Sequence, residues 1–262
     1  MTDEGQIPAG SPEVETLPPL VAPPPLPGLA TRTVVWNGIA DSASALFITF
    51  CVVLAGAILG FATLQIRSGG RSGASAGLIA FGAGVQEIAF ASLAWRRIRK
   101  NREVGRAPLI LGGPRLPAIL WGIPCGMLVM SFGALIAKLM GATTPKGLAE
   151  MLAGLLSHSW IAALVFFLVA IVAPVCEEYF FRGAIFGVAR ANGNPWAGGI
   201  VASLLFATLH FNFRMFPYYL IFSAMNCWLM MKTKTLAAPI AAHITVNASA
   251  CIAVLMMARM RY

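Results

Sequence analysis

The chain has 262 residues, of which 58% are hydrophobic and 11% are charged, and its formal net charge is +9. Soluble globular domains carry about 25% charged residues, so this chain has too few charged side chains to cover a surface that faces water. The composition excludes a secreted disulfide scaffold, a collagen and a wholly disordered chain, and it predicts a multi-pass membrane protein.

The N-terminal segment has a different composition from the rest. Residues 1–31 contain eight prolines, three of them consecutive. Such a segment cannot bury a hydrophobic core, so we expect residues 1–33 to form a disordered, partly polyproline tail. It has neither the basic start nor the apolar stretch of a signal peptide.

Seven apolar segments follow the tail. They cover residues 44–64, 73–95, 117–137, 160–190, 196–211, 217–231 and 236–257. A spanning helix needs about 20 mostly apolar residues, so the fifth and sixth are short. Because lipid requires every backbone polar group to be paired internally, we predict an all-α, polytopic transmembrane bundle. It has seven helices, or eight if the mixed stretch 146–156 forms an interfacial helix.

About a third of the basic residues are clustered in one short loop. Six basic residues lie between the second and third apolar segments, namely Arg96, Arg97, Arg99, Lys100, Arg102 and Arg106. This pattern predicts a cytoplasmic loop under the positive-inside rule and places the N-terminus in the cytoplasm. We therefore expect an integral membrane protein with no nucleic-acid partner. The chain divides into the tail (1–33), an N-terminal hairpin with the basic loop (34–116) and a C-terminal helical domain (117–257).

The cysteines carry no predicted chemistry. All five lie in or beside apolar segments, and none forms a Cys-x-x-Cys pair. We expect small buried side chains rather than disulfides or a zinc knuckle.

Two adjacent glutamates follow a long apolar stretch. Glu177 and Glu178 begin the sequence EEYFFR, which ends at Arg182. Charged groups at the centre of a spanning helix cost about 2.5–3.5 kcal/mol each, so they persist when they pair or do chemistry. Glu178 and Arg182 are i,i+4 neighbours and can pair, whereas Glu177 is rotated by about 100° and can point elsewhere. The pattern fits a general base beside an ion pair, and it fits a lock for helix packing equally well.

Two further polar groups lie in later apolar segments. FATLH ends at His210, and HITVN places His243 and Asn247 on one helical face. Glu177 and His210 lie 16 and 15 residues from the turn at 193–195, so a helical hairpin brings them to one level, about 24 Å from that turn. His243 lies about 12 Å from its own loop by the same rise. It therefore reaches that level only if the first hairpin protrudes further into the cytoplasm.

The three motifs together resemble those of the CPBP family, the CAAX proteases and bacteriocin-processing enzymes also called the Abi family. Its pattern is EExxxR, then FxxxH, then HxxxN or HxxxB, on successive membrane helices. Here EEYFFR, FATLH and HITVN match in that order. The resemblance covers residues 117–257, with the motifs within 177–247. It extends to type II CAAX prenyl endopeptidases and lysostaphin-resistance-A-like membrane proteins.

This resemblance implies an intramembrane endopeptidase that cleaves a peptide or a membrane-associated protein. The family's catalytic glutamate falls on Glu177 and its water-holding histidine on His210. Its second histidine and its asparagine, which stabilise the oxyanion, fall on His243 and Asn247. Hydrolysis of a peptide needs both an activated water and donors for the developing oxyanion.

The same resemblance leaves two catalytic types open. Glu178 and Arg182 match the family's supporting positions in either case. A metal-free glutamic protease is favoured, because a hydrogen-bonding asparagine fits an oxyanion role better than a ligand role. Zinc is the alternative, with Glu177, His210 and His243 as ligands.

Two non-enzymatic functions compete with the protease. One is a membrane scaffold or immunity-type protein that uses the same polar residues for packing or partner binding. The other is a small transporter, since intramembrane glutamate and histidine can relay protons. The sequence disfavours the transporter, because it has no pair of interrupted helices in two related halves.

Overall fold

The computed structural model describes residues 40, 44, 71–103, 105, 115–142, 163–164 and 166–259. Side chains are described from residue 84 in the first of the long ranges and up to residue 256 in the last. The predicted tail, the stretch 146–156 and nearly all of the first apolar segment lie outside these residues.

Six helices make up the described part. They are α1 (Arg71–Glu103), α2 (Arg115–Leu139), α3 (168–191), α4 (Pro195–Leu209), α5 (Phe216–Thr233) and α6 (Ala237–Arg259). The described residues contain no strand, which confirms the all-α class for this part of the chain. The six helices correspond to the second to seventh apolar segments. A seventh helix would have to come from segment 44–64 and stays a prediction.

Two helices are long and apolar enough to cross a membrane by themselves. They are α2, with a mean hydropathy of 2.0, and the stretch Ala237–Met256 of α6, with 1.6. Large apolar side chains on α2 are exposed, among them Leu116, Leu120 and Leu128. An exposed apolar face of this size fits a helix that contacts lipid. The predicted multi-pass topology and the orientation of the N-terminus stay predictions.

The predicted basic loop is in part a helix. Residues 96–103 continue α1 to its last residue, Glu103. Arginine, lysine and glutamate are good helix formers, and Arg99 pairs with Glu103 at i,i+4 with an N–O distance of 3.0 Å. Five of the six basic residues therefore lie on the last two turns of α1, and Arg106 lies outside the described residues.

Small residues bring α2 and α6 into close contact. A Cβ atom at Gly126 would lie 2.5 Å from the backbone oxygen of Ala242, and one at Gly122 would overlap the backbone oxygen of Ala238. Spacing of small residues by four positions on both helices is typical of close helix pairs in membranes. The contact fixes the position of His243, which follows Ala242 directly.

Helices α1 and α3 pack side by side in the same direction. The rings of Phe90 and Phe180 stack with centroids 4.6 Å apart. Further along both helices, Asn192 donates a side-chain hydrogen bond to Asn101 at 3.0 Å. Since residue numbers rise together along the contact, the two helices are parallel.

A tight turn reverses the chain between α3 and α4. Gly193 has a φ of +82°, a conformation that favours glycine because it has no Cβ atom. The predicted turn is therefore present, and α3 and α4 form an antiparallel hairpin.

Candidate active site

A fully buried carboxylate forms the hub of the polar network. Oε1 of Glu178 accepts a hydrogen bond from the side-chain amide of Asn226 at 2.9 Å and lies 2.8 Å from Nδ1 of His243. The same oxygen lies 3.1 Å from Nη1 of Arg182, in the predicted i,i+4 ion pair. Residues from α3, α5 and α6 thus meet at one oxygen atom.

Arg182 is as deeply buried as its partner. Its side chain has no exposed surface, and Nη2 donates a hydrogen bond to the backbone oxygen of Ser223 at 3.1 Å. The guanidinium carbon also lies 4.8 Å from the ring centroid of Phe206, within cation–π range. A buried charge of this kind is tolerated because it is paired with a carboxylate, although Nε and Nη1 have no hydrogen-bond partner among the described residues.

The ring of His243 lies between the two glutamates. Nδ1 is 2.8 Å from Oε1 of Glu178, and Nε2 is 3.9 Å from Oε2 of Glu177. Since Oε1 of Glu178 already faces two cationic or amide donors, it acts as an acceptor, and Nδ1 carries the hydrogen of that bond. The orientation of the ring is therefore fixed by Glu178, and Nε2 is presented to Glu177.

Glu177 has different surroundings from its neighbour. Its side chain is 15% exposed, and its buried Oε2 has no hydrogen-bond partner among the described residues. It interacts electrostatically with His210 on α4. Glu177 therefore lies beside His243 and interacts electrostatically with His210, and its Oε2, like that of Glu178, has no hydrogen bond within the described part of the chain.

The protein backbone fixes the ring of His210. Nδ1 lies 2.7 Å from the backbone oxygen of Phe206, and a carbonyl oxygen can only accept, so Nδ1 is the donor. The neutral ring then has Nε2 available as an acceptor. The ring of Tyr219 stacks on the ring of His210, with ring centroids 4.0 Å apart and an interplanar angle of 28°.

Asn247 lies one turn beyond His243, as its spacing predicts, but its contact lies elsewhere. Its side-chain amide donates to the backbone oxygen of Val169 on α3 at 2.9 Å. The described contacts do not join it to either glutamate. The structure thus brings Glu177, Glu178, Arg182, His210 and His243 into one network and places Asn247 at its edge.

The predicted levels of the three motifs agree with these contacts. Glu177 interacts with His210 and has His243 at 3.9 Å. His243 therefore lies at the level of Glu177, whereas the predicted protrusion of the first hairpin into the cytoplasm stays a prediction. A wide helical turn accompanies this arrangement, since Tyr179–Gly187 forms a π-helix directly after the two glutamates. Such segments are rare and often mark functional sites.

Four residues of this region were not assigned a role from the sequence. Two of them, Asn226 and Glu87, could have been found from the sequence, because each is a polar residue inside an apolar segment. Glu87 is 8% exposed and interacts electrostatically with Glu177. Ser223 contributes a backbone oxygen, which any residue type supplies. Tyr219 is an aromatic residue in an apolar segment, which by itself indicates only packing.

The predicted zinc alternative requires three converging ligands. Within the described residues, no three histidine, cysteine, aspartate or glutamate side chains converge closely enough to hold a metal ion. The side chains as arranged therefore do not fit a zinc site.

Comparison with known proteins assigns a family to the segment that contains this network. The family described as type II CAAX prenyl endopeptidase Rce1-like matches residues 158–249. The match contains all three motifs, and it confirms the resemblance to the CPBP family for this segment.

Two curated relatives agree with this match. The membrane-embedded CAAX protease MroQ of Staphylococcus aureus (strain USA300) is 40% identical over 91 residues, which cover 31% of this chain and 35% of the relative. The protein YdiL of Bacillus subtilis (strain 168), described as a candidate membrane peptidase, is 31% identical over 78 residues, covering 30% of this chain and 32% of the relative. The chain thus aligns with about a third of each relative's length. No solved structure gives a significant match.

Proposed function

We propose that this chain, whose residues 158–249 belong to the Rce1-like family of CAAX endopeptidases, is an intramembrane endopeptidase. Its substrate is a peptide or a membrane-associated protein that reaches the site from the bilayer. The two apolar helices long enough to span a membrane and the membrane-embedded relative support a site within the membrane.

One observation carries the proposal. Glu177 is a partly exposed carboxylate whose Oε2 lacks a hydrogen bond among the described residues. This Oε2 lies 3.9 Å from Nε2 of His243 on α6, and Glu177 interacts electrostatically with His210, which directly follows α4. Its neighbour Glu178 has no exposed surface, and Oε1 of Glu178 holds His243. A base with a free acceptor beside oriented imidazoles is the arrangement that activates a water molecule.

Glu177 acts as the general base in this proposal. A water molecule donates one hydrogen to the Glu177 carboxylate and the other to Nε2 of His210, which is an acceptor because Nδ1–H is bonded to Phe206. The water oxygen then attacks the peptide carbonyl carbon while its proton passes to Glu177. The hydrogen bond to the backbone and the stack on Tyr219 hold the imidazole in place, so little reorganisation is needed.

His243 and Asn247 stabilise the oxyanion in the same proposal. Nδ1 of His243 carries the hydrogen that bonds Glu178. A donor toward the oxyanion must therefore be Nε2–H of a doubly protonated ring, whose charge the two glutamates balance. Asn247 has a second amide hydrogen besides the one given to Val169. Each such donor contributes a factor of about 10²–10³ to the rate.

We further propose that the protease is of the glutamic type. The lack of three converging ligands among the described residues supports this choice. Metal analysis of the purified chain tests it. Zinc below stoichiometric amounts, with activity that survives chelation, is expected, and one zinc ion per chain with activity lost on chelation would contradict it.

The function is tested by comparing protein termini in membranes from cells that carry the wild-type chain or Glu177→Gln. We expect new termini with the wild type only, and these termini identify the substrates. The matched control is Glu103→Gln, which makes the same chemical change on an exposed residue of α1 and should leave the termini as in the wild type. Termini that are unchanged by Glu177→Gln at equal expression would refute the protease.

The scaffold reading has one observation in its favour. Glu178, Arg182 and Asn226 form a buried network that would hold α3 and α5 together without any reaction. In that case Glu177→Gln would retain the biological function of the chain, whereas polar substitutions on its exposed apolar faces would abolish it. The two outcomes separate a scaffold from an enzyme in one set of variants.

A further inference from the structure

The strongest unexplained feature is a carboxyl group on α1, outside the segment matched by the family. Glu87 lies inside an apolar segment, its side chain is 8% exposed, and its Oε2 has no hydrogen-bond partner among the described residues. No lysine, arginine or histidine of the described part lies within ion-pair distance of it. A buried polar group without a partner is costly, so its presence calls for a role.

The packing of α1 on α3 places Glu87 at the level of Glu177. The two helices are parallel, and Phe90 stacks on Phe180 at 4.6 Å. Glu87 and Glu177 each lie three residues before a member of this ring pair, so the same register brings them together. Their electrostatic interaction agrees with this placement.

Two carboxyl groups in this setting cannot both be charged at low cost. Their charges repel in apolar surroundings, and the one imidazole near them at 3.9 Å faces Glu177. Glu177 is also the more exposed of the two. Burial therefore favours the protonated form of Glu87, the kind of division that assigns an acid and a base to a carboxyl pair.

We propose that Glu87 is the general acid of the reaction and delivers the proton to the leaving amine. This inference rests on the proposed protease function. Water adds to the peptide carbonyl carbon as its proton passes to the Glu177 carboxylate. The C–N bond then breaks, and the nitrogen takes the proton of the Glu87 carboxyl group. A proton passes from Glu177 to Glu87 to restore the starting state, so the net reaction is hydrolysis of one amide to a carboxylic acid and an amine.

The groups around Glu87 are consistent with this role. Glu177 and Cys176 are the titratable side chains of α3 that interact with it electrostatically. His210 and His243 approach the pair from α4 and α6 on the side of Glu177. The Oε2 atoms of Glu87 and Glu177 both lack a hydrogen-bond partner within the described part of the chain.

The first test needs no substrate. Infrared spectroscopy of the purified full-length chain in lipid nanodiscs separates the carbonyl stretch of a protonated carboxyl group from that of a carboxylate. We expect a carboxylic acid band at neutral pH that is lost in Glu87→Gln and retained in Glu103→Gln. A spectrum without a band that depends on Glu87 would mean that Glu87 is ionised, and it would overturn the proposal.

The second test measures dependence on the leaving group. The probe is a synthetic peptide spanning a cleavage site found from the new termini, compared with its depsipeptide, in which the scissile amide is an ester. An amide nitrogen must be protonated to leave, whereas an alkoxide can leave unprotonated. We expect Glu87→Gln to slow cleavage of the peptide by at least about 100-fold, the usual contribution of a general acid, and to slow the depsipeptide far less.

The outcomes separate this inference from the function on which it rests. Equal slowing of peptide and depsipeptide would mean that Glu87 supports the fold or the position of Glu177, and the proposal would fail while the protease stands. Undiminished cleavage by Glu177→Gln would instead remove the protease itself. Glu87→Asp keeps the carboxyl group and should recover part of the peptide activity, which a loss through misfolding would not explain.

Discussion

The two neighbouring glutamates of α3 have opposite surroundings. Glu178 has no exposed surface, and one of its oxygens meets an arginine, an asparagine and a histidine within 3.1 Å. Glu177 is 15% exposed, and its nearest histidine nitrogen lies at 3.9 Å. The Oε2 atoms of both glutamates have no hydrogen bond among the described residues, so the contrast lies in exposure and in the partners of Oε1. A rotation of about 100° between adjacent helical residues is enough to place them on these two sides.

The difference indicates that the two adjacent glutamates have different roles. The side of Glu178 is a closed network that holds three helices in register and orients His243. The side of Glu177 is partly exposed, with His243 at 3.9 Å and an electrostatic interaction with His210. We therefore interpret the first glutamate as the reactive group and the second as the group that positions its partners.

The largest effect on stability is expected on the closed side. Arg182→Met leaves the Glu178 carboxylate buried without its charge partner, which costs about 3–5 kcal/mol of unfolding free energy. Thermal unfolding of the purified chain in detergent would show a large decrease, whereas Glu177→Gln would leave the midpoint close to that of the wild type. The double variant Glu178→Gln/Arg182→Met should recover part of the loss, because it removes both charges. An Arg182→Met protein as stable as the wild type would mean that the network contributes no stability.

A smaller effect is expected where α6 is fixed against α2. Gly126→Ala places a Cβ atom 2.5 Å from the backbone oxygen of Ala242, so the helices must separate, at a cost of about 1–3 kcal/mol. Because His243 follows Ala242, activity should fall together with stability. The matched control is Gly84→Ala on α1, where a Cβ atom meets nothing within 4 Å. Equal unfolding midpoints for the two variants would contradict the close contact.

The smallest effect is expected on the open side, at the ring that stacks on His210. Tyr219→Leu removes a stack with centroids 4.0 Å apart, worth about 0.5–1.5 kcal/mol. The cleavage rate should fall by up to about tenfold, the equivalent of 1.4 kcal/mol. Tyr219→Phe keeps the ring and should keep most of the rate. A full rate for Tyr219→Leu would show that the hydrogen bond to Phe206 alone orients His210.

Much of this arrangement could be predicted from the sequence, because lipid imposes long apolar helices and makes buried polar residues conspicuous. The apolar segment 217–231 corresponds to Phe216–Thr233, and the segment 236–257 to Ala237–Arg259. The pairing of Glu178 with Arg182 follows from their i,i+4 spacing. The predicted helix bounds are least accurate at the basic residues that end α1. Hydropathy assigns such residues to a loop, whereas arginine, lysine and glutamate are good helix formers.

The contacts between distant segments could not be predicted in the same way. The amide of Asn226 reaches Glu178 across 48 positions of the chain, and Arg182 bonds a backbone oxygen at Ser223 that no side-chain pattern reveals. Likewise, only the parallel packing of α1 on α3 places Glu87 at the level of Glu177. Such contacts depend on which helices are neighbours, and a single sequence does not encode that as a local pattern. The catalytic roles of Glu177, His210, His243 and Asn247 stay predictions.

The central claim is that Glu177 is the base of a hydrolytic site, and the cleavage rate of the purified chain tests it most directly. The full-length protein in nanodiscs is mixed with a substrate peptide found from the new termini, and single-turnover cleavage is compared for the wild type and Glu177→Gln. We predict a loss of about 10²–10⁴-fold, as for removal of a general base, with the midpoint of thermal unfolding unchanged. A Glu177→Gln protein that is equally stable and cleaves at the wild-type rate would contradict the account.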